Sequence, residues 1–247
     1  MYNRYRIKYI QYGSHRKQLF QSTITSLEGG VRYINTDGNT YTGAGVILVE
    51  QYNNKAGKNE LAVILFRNNG KANVYEDLGG NIEEEYTRHK FPLTETAKNE
   101  AFEESACLIS FANTQHIDQY NTFIKCNEYR CYFVGILPNT FFRQDYLDNV
   151  KKLNMFHDIP NQFKETDDVQ RFYIADLIRN DIMNKSNNMK CVDAHGKERM
   201  LSSRAIVCIR EGLRKDIPNS VIRHPLRFVK TSISKFGLHL NTFLSTQ

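Results

Sequence analysis

The sequence predicts an α+β fold, a mixed and mainly antiparallel sheet with a few helices packed on it. Three observations point there. YTGAGVILVEQ and ELAVILFRN are β-rich runs separated by a polar Asn/Lys/Gly loop, and they read as buried hairpin strands. YRCYFVGIL adds a strand of aromatic and β-branched residues. Two segments, 94–106 and QDYLDNVKKLNMF, have helical patterning. The 247 residues suit one domain with additions. The expected division is a core over 40–180, a basic N-terminal strand extension over 1–39 packed on it, and a basic helical C-terminal extension over 181–247.

Each element has its own local signal. RYRIKYIQY alternates polar and apolar residues and predicts a strand. A Gly/Thr/Asn-rich connection is expected up to Asn39. YEDLGGNI, after the hairpin, reads as a Gly-Gly turn at Gly79 and Gly80, where the backbone can approach a ligand closely. The polar insertion EEEYTRHKFP leads to the helix at 94–106, with Thr94 as its N-cap after Pro92. VQRFYIADL reads as a short strand running into a turn, and DAHGKE as a hairpin turn. MLSSRAIVCIREGLRKD has apolar residues at helical spacing, with Ser202 or Ser203 as cap. The tail from Pro218 reads as helical or extended.

Composition narrows the function classes. No apolar leader segment opens the chain, and no run approaches the roughly 18 apolar residues of a membrane span. The five cysteines are scattered without a C-x-x-C pair, which argues against a zinc site and for free, mostly buried thiols in a reducing, cytoplasmic setting. Residues 1–17 carry five Lys/Arg and no acid, and residues 199–235 carry nine Lys/Arg against two acids. Against the total of +6, the remainder is net −6. An acidic middle between basic ends suits a polyanionic substrate held near a metal-binding centre.

Chemistry concentrates in TETAKNEAFEESACLIS. Glu100, Glu103 and Glu104 stand at i, i+3 and i+4, so they share a side of the helix, while Ala97 and Ala101 lie on the packed side. Like charges so placed weaken a helix unless a cation sits on them. Hard carboxylate oxygens suit Mg²⁺ or Mn²⁺. Upstream stand DLGGNI and Glu83, Glu84 and Glu85. KETDDVQRFY offers a further base or ligand, with Glu165 ahead of Asp167 and Asp168. Arg204 and Arg210 lie near one another on the predicted C-terminal helix, as a phosphate clamp or a solvent-facing stripe. His157 and His195 read as surface or turn residues.

The order GGNIEEE…TAKNEAFEESACL resembles the box of the Nudix hydrolase family, Gly-x5-Glu-x7-Arg-Glu-U-x-Glu-Glu-x-Gly-U, with U aliphatic. Gly80 matches the opening glycine, Glu100 the glutamate after the arginine, and Glu103 and Glu104 the Glu-Glu pair. Asn99 replaces the arginine, Ala106 the late glycine, and the span from Gly80 to Glu100 is about five residues longer. The resemblance implies an α/β/α sandwich with added terminal elements. It implies Mg²⁺- or Mn²⁺-dependent hydrolysis of a pyrophosphate, with Glu103 and Glu104 as metal ligands, Glu100 as ligand or support of the attacking water, and Glu165 as general base or further ligand, unless it is a solvated residue at the start of a loop. Abundant Asn, Ile, Lys and Tyr suggest an AT-rich genome, and large AT-rich viruses carry family decapping enzymes of similar length. The basic ends extend beyond what a small ligand requires, so the expected substrate is the mRNA cap, released as m7GDP, with RNA on those ends. The alternatives are hydrolysis of a small polyanion and a non-catalytic binding module.

Overall fold

The computed structural model describes residues 4–9, 20–27, 30–53, 59–70, 73–111, 122–137, 143–155, 159–185, 187–225 and 229–230. Four strands come first: β1 (Arg4–Tyr9), β2 (Phe20–Leu27), β3 (Gly30–Ile34) and β4 (Thr40–Tyr41). They pair antiparallel in chain order. The strand expected in RYRIKYIQY is β1. The connection expected up to Asn39 is not a loop, because it contains β2 and β3. FQSTITSL and GVRYI are dense in Thr, Ile, Val and Tyr, and that β-propensity outweighs the flanking glycines.

The main sheet contains nine strands among the described residues. Its central hairpin is β5 (Gly43–Asn53) with β6 (Asn59–Asn68), as expected. β5 is shared between neighbours: residues 43–46 pair with β8 (Leu78–Asn81) and residues 48–53 with β6. Its other edge pairs in parallel with β11 (Tyr129–Ile136), which carries β10 (Phe123–Cys126) at the sheet's end. On the far side, β6 pairs with β7 (Val74–Glu76) and β12 (Thr166–Tyr173). β7 continues in parallel to β14 (Glu198–Leu201), which pairs with β13 (Met189–Val192) around the expected DAHGKE turn. A separate pair joins β9 (Ile109–Ser110) to β15 (Val229–Lys230).

Helices lie against both faces: α1 (Pro92–Glu104), α2 (Arg143–Met155), α3 (Ile174–Arg179), α4 (Ser203–Arg214) and α5 (Ile217–Val221). Val46, Leu48, Ile64 and Phe66 pack with Leu93, Ala97 and Ala101 of α1 and Tyr146 and Leu153 of α2. Their neighbours Ile47, Val49, Val63 and Leu65 point the other way, toward Ala205, Ile206 and Ile209 of α4. Successive strand residues face opposite sides, so a strand covered on both faces must be apolar throughout. That is why GVILV and AVILF are unbroken apolar runs. The turn expected after VQRFYIADL is α3, a short helix that buries Ile174 and Leu177. All five cysteines are free and buried. Among the described residues no helix is long and apolar enough to cross a membrane.

Candidate carboxylate site

The site is built from β8 and α1. α1 begins two residues earlier than expected, with Pro92 in the first turn and Phe91 at the N-cap position. Proline fits there because its missing N–H has no helical acceptor to lose. Thr94 is therefore not the cap; its hydroxyl meets the Tyr132 hydroxyl at 3.0 Å. At the other end, Ala106 and Cys107 both take left-handed backbone, with φ of 53° and 61°. The Cys107 N–H reaches the Phe102 carbonyl at 2.9 Å and the Ala106 N–H reaches Glu103 at 3.1 Å. These two bonds form a Schellman closure, which ends the helix at Glu104 with alanine where glycine is usual.

The expected Gly-Gly turn is instead strand β8, in register with Gly45 and Ala44 of β5. The glycines serve close approach. A Cβ on Gly80 would collide with the Glu100 carboxylate, and one on Gly79 with the Tyr129 hydroxyl and the Gly45 backbone. The Gly79 N–H donates to Glu104 Oε2 at 2.5 Å. Glu104 is thus turned inward and buried, while Glu100 and Glu103 are half-buried beside it. The shared acidic side of α1 is packed against a strand and not simply solvated.

Burial above all, then the charges of Glu103, Glu165 and Glu83, pushes the Glu100 carboxyl up to about 8, with Arg204 pulling the other way. Burial likewise pushes Glu103 up to about 7; the Gln162 amide, 3.3 Å away, opposes this, and Glu83, Glu165 and Glu85 add to it. Burial and Glu100 raise Glu104 well above the ordinary carboxylate range, against Arg204 and the Gly79 N–H. Within the acidic triplet, Glu83 acts on both Glu100 and Glu103, and Glu85 on Glu103. Of the acids in KETDD, Glu165 is exposed and is felt at Glu100 and Glu103. Asp167 accepts from Arg67 at 2.6 Å, and buried Asp168 accepts from Tyr75 at 2.6 Å and from Arg143.

Arg204 reaches the cluster from the first turn of α4, whose N-cap is Ser202 as expected. Its Nε donates to Asp77 Oδ1 at 2.8 Å, Nη2 lies 3.8 Å from Glu76 Oε2, and its guanidinium sits 5.0 Å from the Tyr129 ring centroid. Tyr129 in turn donates to the other Asp77 oxygen at 2.6 Å. Arg210 is not beside it: Nη1 donates to the Lys185 carbonyl at 2.8 Å, and Nε to Glu211. Six helical residues amount to a third of a turn short of two full turns, which sends the two side chains to different sides. Arg204 and Arg210 therefore do not form the expected phosphate clamp. His195 sits in the β13–β14 turn, its N–H bonded to Asp193; His157 lies outside the described residues.

Asp77, Tyr129 and Gln162 were not anticipated at the site. Asp77 had a signal, since an acid next to a strand that must be buried requires a cation partner. Among the described residues no three carboxylate, imidazole or thiol groups converge into a ready-made cage. The donors are nonetheless all hard oxygens. Mg²⁺ in particular is commonly held by one or two carboxylates plus substrate phosphates, without a complete protein cage. No protein-family model matches the chain, and no curated protein matches it.

Proposed function

We propose that the chain is a Nudix-type pyrophosphohydrolase that cleaves the mRNA cap and releases m7GDP. The observation that carries this reading is the packing of Gly79 and Gly80 against Glu100 and Glu104, with Glu103, Glu83 and Glu165 closing an acidic cluster. Burial, with the neighbouring negative charges, raises the Glu100, Glu103 and Glu104 carboxyls, and a divalent cation would take the place of the protons they hold. Glu103 and Glu104, with Glu100, would hold Mg²⁺ or Mn²⁺, which when bound neutralises phosphate oxygens and makes water a better nucleophile.

The chain's own residues then divide the work. Glu165, exposed at the rim, accepts the proton of the attacking water on a carboxylate oxygen. The water oxygen bonds to phosphorus as the bridging P–O bond breaks and its electrons leave with the departing phosphate. Arg204 stays paired with Asp77 and tempers the negative charge on Glu100 and Glu104. The cation expected from the box at Asn99 comes on this reading from α4. RNA is held by the basic segments 1–17 and 199–235, apart from Arg199 and Arg204, which are paired with Asp193 and Asp77; the side chains of 1–17 and 226–235 lie outside the described residues.

A substrate panel with Mg²⁺ and Mn²⁺ tests the reading. Capped RNA should yield m7GDP, and affinity for the RNA body should fall steeply with salt. If capped RNA survives while free nucleotides or inositol pyrophosphates are cleaved, the cap assignment is wrong. If no diphosphate is cleaved at all, the hydrolase reading fails and the binding-module alternative gains.

A further inference from the structure

A pocket of different chemistry opens at the other end of α1. Tyr33 of β3, Lys90, Phe91, Leu93 and the β11 residues Arg130 and Tyr132 line it. The Arg130 guanidinium is held among rings, 4.0 Å from the Phe123 centroid and 4.8 Å from that of Tyr41. Its Nη2 donates to the Tyr41 hydroxyl at 3.2 Å and its Nη1 to the Tyr132 hydroxyl at 3.4 Å. Those contacts fix the cation in place. Lys90 is exposed, with Nζ 5.1 Å from the Phe91 centroid. The pocket thus offers flat apolar rings and two positive charges, a combination that takes a planar ring by stacking and an anion by charge.

Its position relates it to the carboxylates. Leu93 and Glu100 are seven residues apart on α1, two turns on the same side, or about 10 Å along the axis. A nucleoside carrying a short phosphate chain bridges such a gap. A ring-free polyanion would leave the aromatic half of the pocket unused.

We propose that this pocket seats the base of a nucleotide substrate, with Tyr33 and Phe91 against the ring and Lys90 on a phosphate oxygen. The proposal rests on the pyrophosphohydrolase reading for the phosphate end, and it narrows the substrate to nucleotides over inositol phosphates. Three consequences follow for the full chain, titrated calorimetrically with GDP and with inositol hexakisphosphate in the absence of metal. GDP binds, and Tyr33→Ala and Lys90→Ala each weaken it about tenfold or more, the scale of one lost stacking or charge contact. The Tyr33→Ala variant leaves inositol hexakisphosphate unaffected. Both variants stay folded at the titration temperature, with Tyr33→Ala, whose ring packs against the apolar core, melting somewhat lower than Lys90→Ala. Unchanged GDP affinity in both variants overturns the proposal, as does an equal loss for the two ligands in Tyr33→Ala, because the site would then read charge alone.

Turnover of a nucleoside diphosphate derivative with Mn²⁺ separates this proposal from the reading beneath it. If Glu103→Gln abolishes turnover while Tyr33→Ala and Lys90→Ala leave KM unchanged, the pocket is wrong and the hydrolase reading stands. If neither wild type nor Glu103→Gln turns over any diphosphate while Tyr33→Ala still weakens GDP, the hydrolase reading is wrong and the pocket stands.

Discussion

Arg204 is the residue through which three parts of the molecule meet. It begins α4, pairs with Asp77 between β7 and β8, and lowers the charge felt by Glu100 and Glu104 on α1. The Asp77 side chain is fully buried and that of Arg204 is 31% exposed. Removing the cation strands the acid in a low-dielectric site. Arg204→Met should therefore destabilise the protein by about 3 kcal/mol, the lower end for breaking a buried pair because Arg204 is partly wetted. Arg204→Lys keeps the charge but loses the fork that spans Asp77 and Glu76, and should retain part of that stability. Chemical denaturation of the two variants checks the order; equal stability of Arg204→Met and wild type would show that the Tyr129 hydroxyl alone suffices to hold the buried Asp77. The sequence marked Arg204 as a site residue but could not assign its partner. Asp77 lies 127 positions away, and only folding reveals that contact.

At the scale of elements, the glycines of β8 separate fold from site. The nearest atoms to a Cβ on Gly80 all belong to the flexible end of Glu100. Gly80→Ala should fold with little loss and displace the Glu100 carboxylate, so activity falls while the thermal midpoint holds. A Cβ on Gly79 meets the Tyr129 hydroxyl and backbone at Gly45 and Ala44, which cannot swing aside. Gly79→Ala should cost about 1–3 kcal/mol, as for overpacking elsewhere. Thermal unfolding and turnover of the pair test this; similar stability in both variants would contradict the packing account.

The same strand shows what the sequence could and could not disclose. The β5–β6 hairpin, β11, α2 and α4 were legible because their apolar runs and helical spacing are dictated by burial against the sheet. The glycine pair was misread because a turn and a close-packed strand call for the same residue. Thr94 looked like a cap because its chemistry suits one, yet Pro92 fixes an earlier start. β2 and β3 were missed because a short polar-apolar alternation rich in Thr and Gly resembles a connection. Within the site, the spacing of Glu100, Glu103 and Glu104 was readable, whereas the inward turn of Glu104 onto Gly79 depends on how far β8 lies from the helix.

For the molecule as a whole, the acidic cluster sets a pH dependence. Glu100 and Glu103 rise from an ordinary value of 4.5 to about 8 and about 7. Between 4.5 and those values the folded state binds more protons than the unfolded chain. Their contribution to stability is thus complete below 4.5 and is lost as pH climbs through 7 to 8. Asp168 and Asp193 act oppositely. Hydrogen bonds hold both below the ordinary 3.8 despite burial, so their contribution is lost only in stronger acid. Metal-free protein should melt at a higher temperature near about pH 5.5 than near about pH 8.5, each kcal/mol appearing as about 2–4 °C at this chain length. Mg²⁺ or Mn²⁺ should raise the midpoint at the higher pH, since a cation binding only the folded state stabilises it by mass action. Scanning calorimetry with EDTA and with metal decides; a midpoint that is insensitive to both would mean the carboxylates are not a charged cluster in solution.

On the proposed function, the glutamates of α1 drive metal-dependent cleavage of a pyrophosphate. Glutamine in place of Glu103 or Glu104 keeps an acceptor oxygen, including one for the Gly79 N–H, and removes only the charge. The most direct measurement is m7GDP release from capped RNA by wild type and by Glu103→Gln and Glu104→Gln, each with Mn²⁺ and with EDTA. Wild type should release m7GDP with Mn²⁺ and not with EDTA, and release should fall on the order of 10²–10³-fold in each variant, the scale of a few kcal/mol of lost charge stabilisation. Wild-type turnover that persists in EDTA, or glutamine variants as active as wild type, would contradict the proposed function.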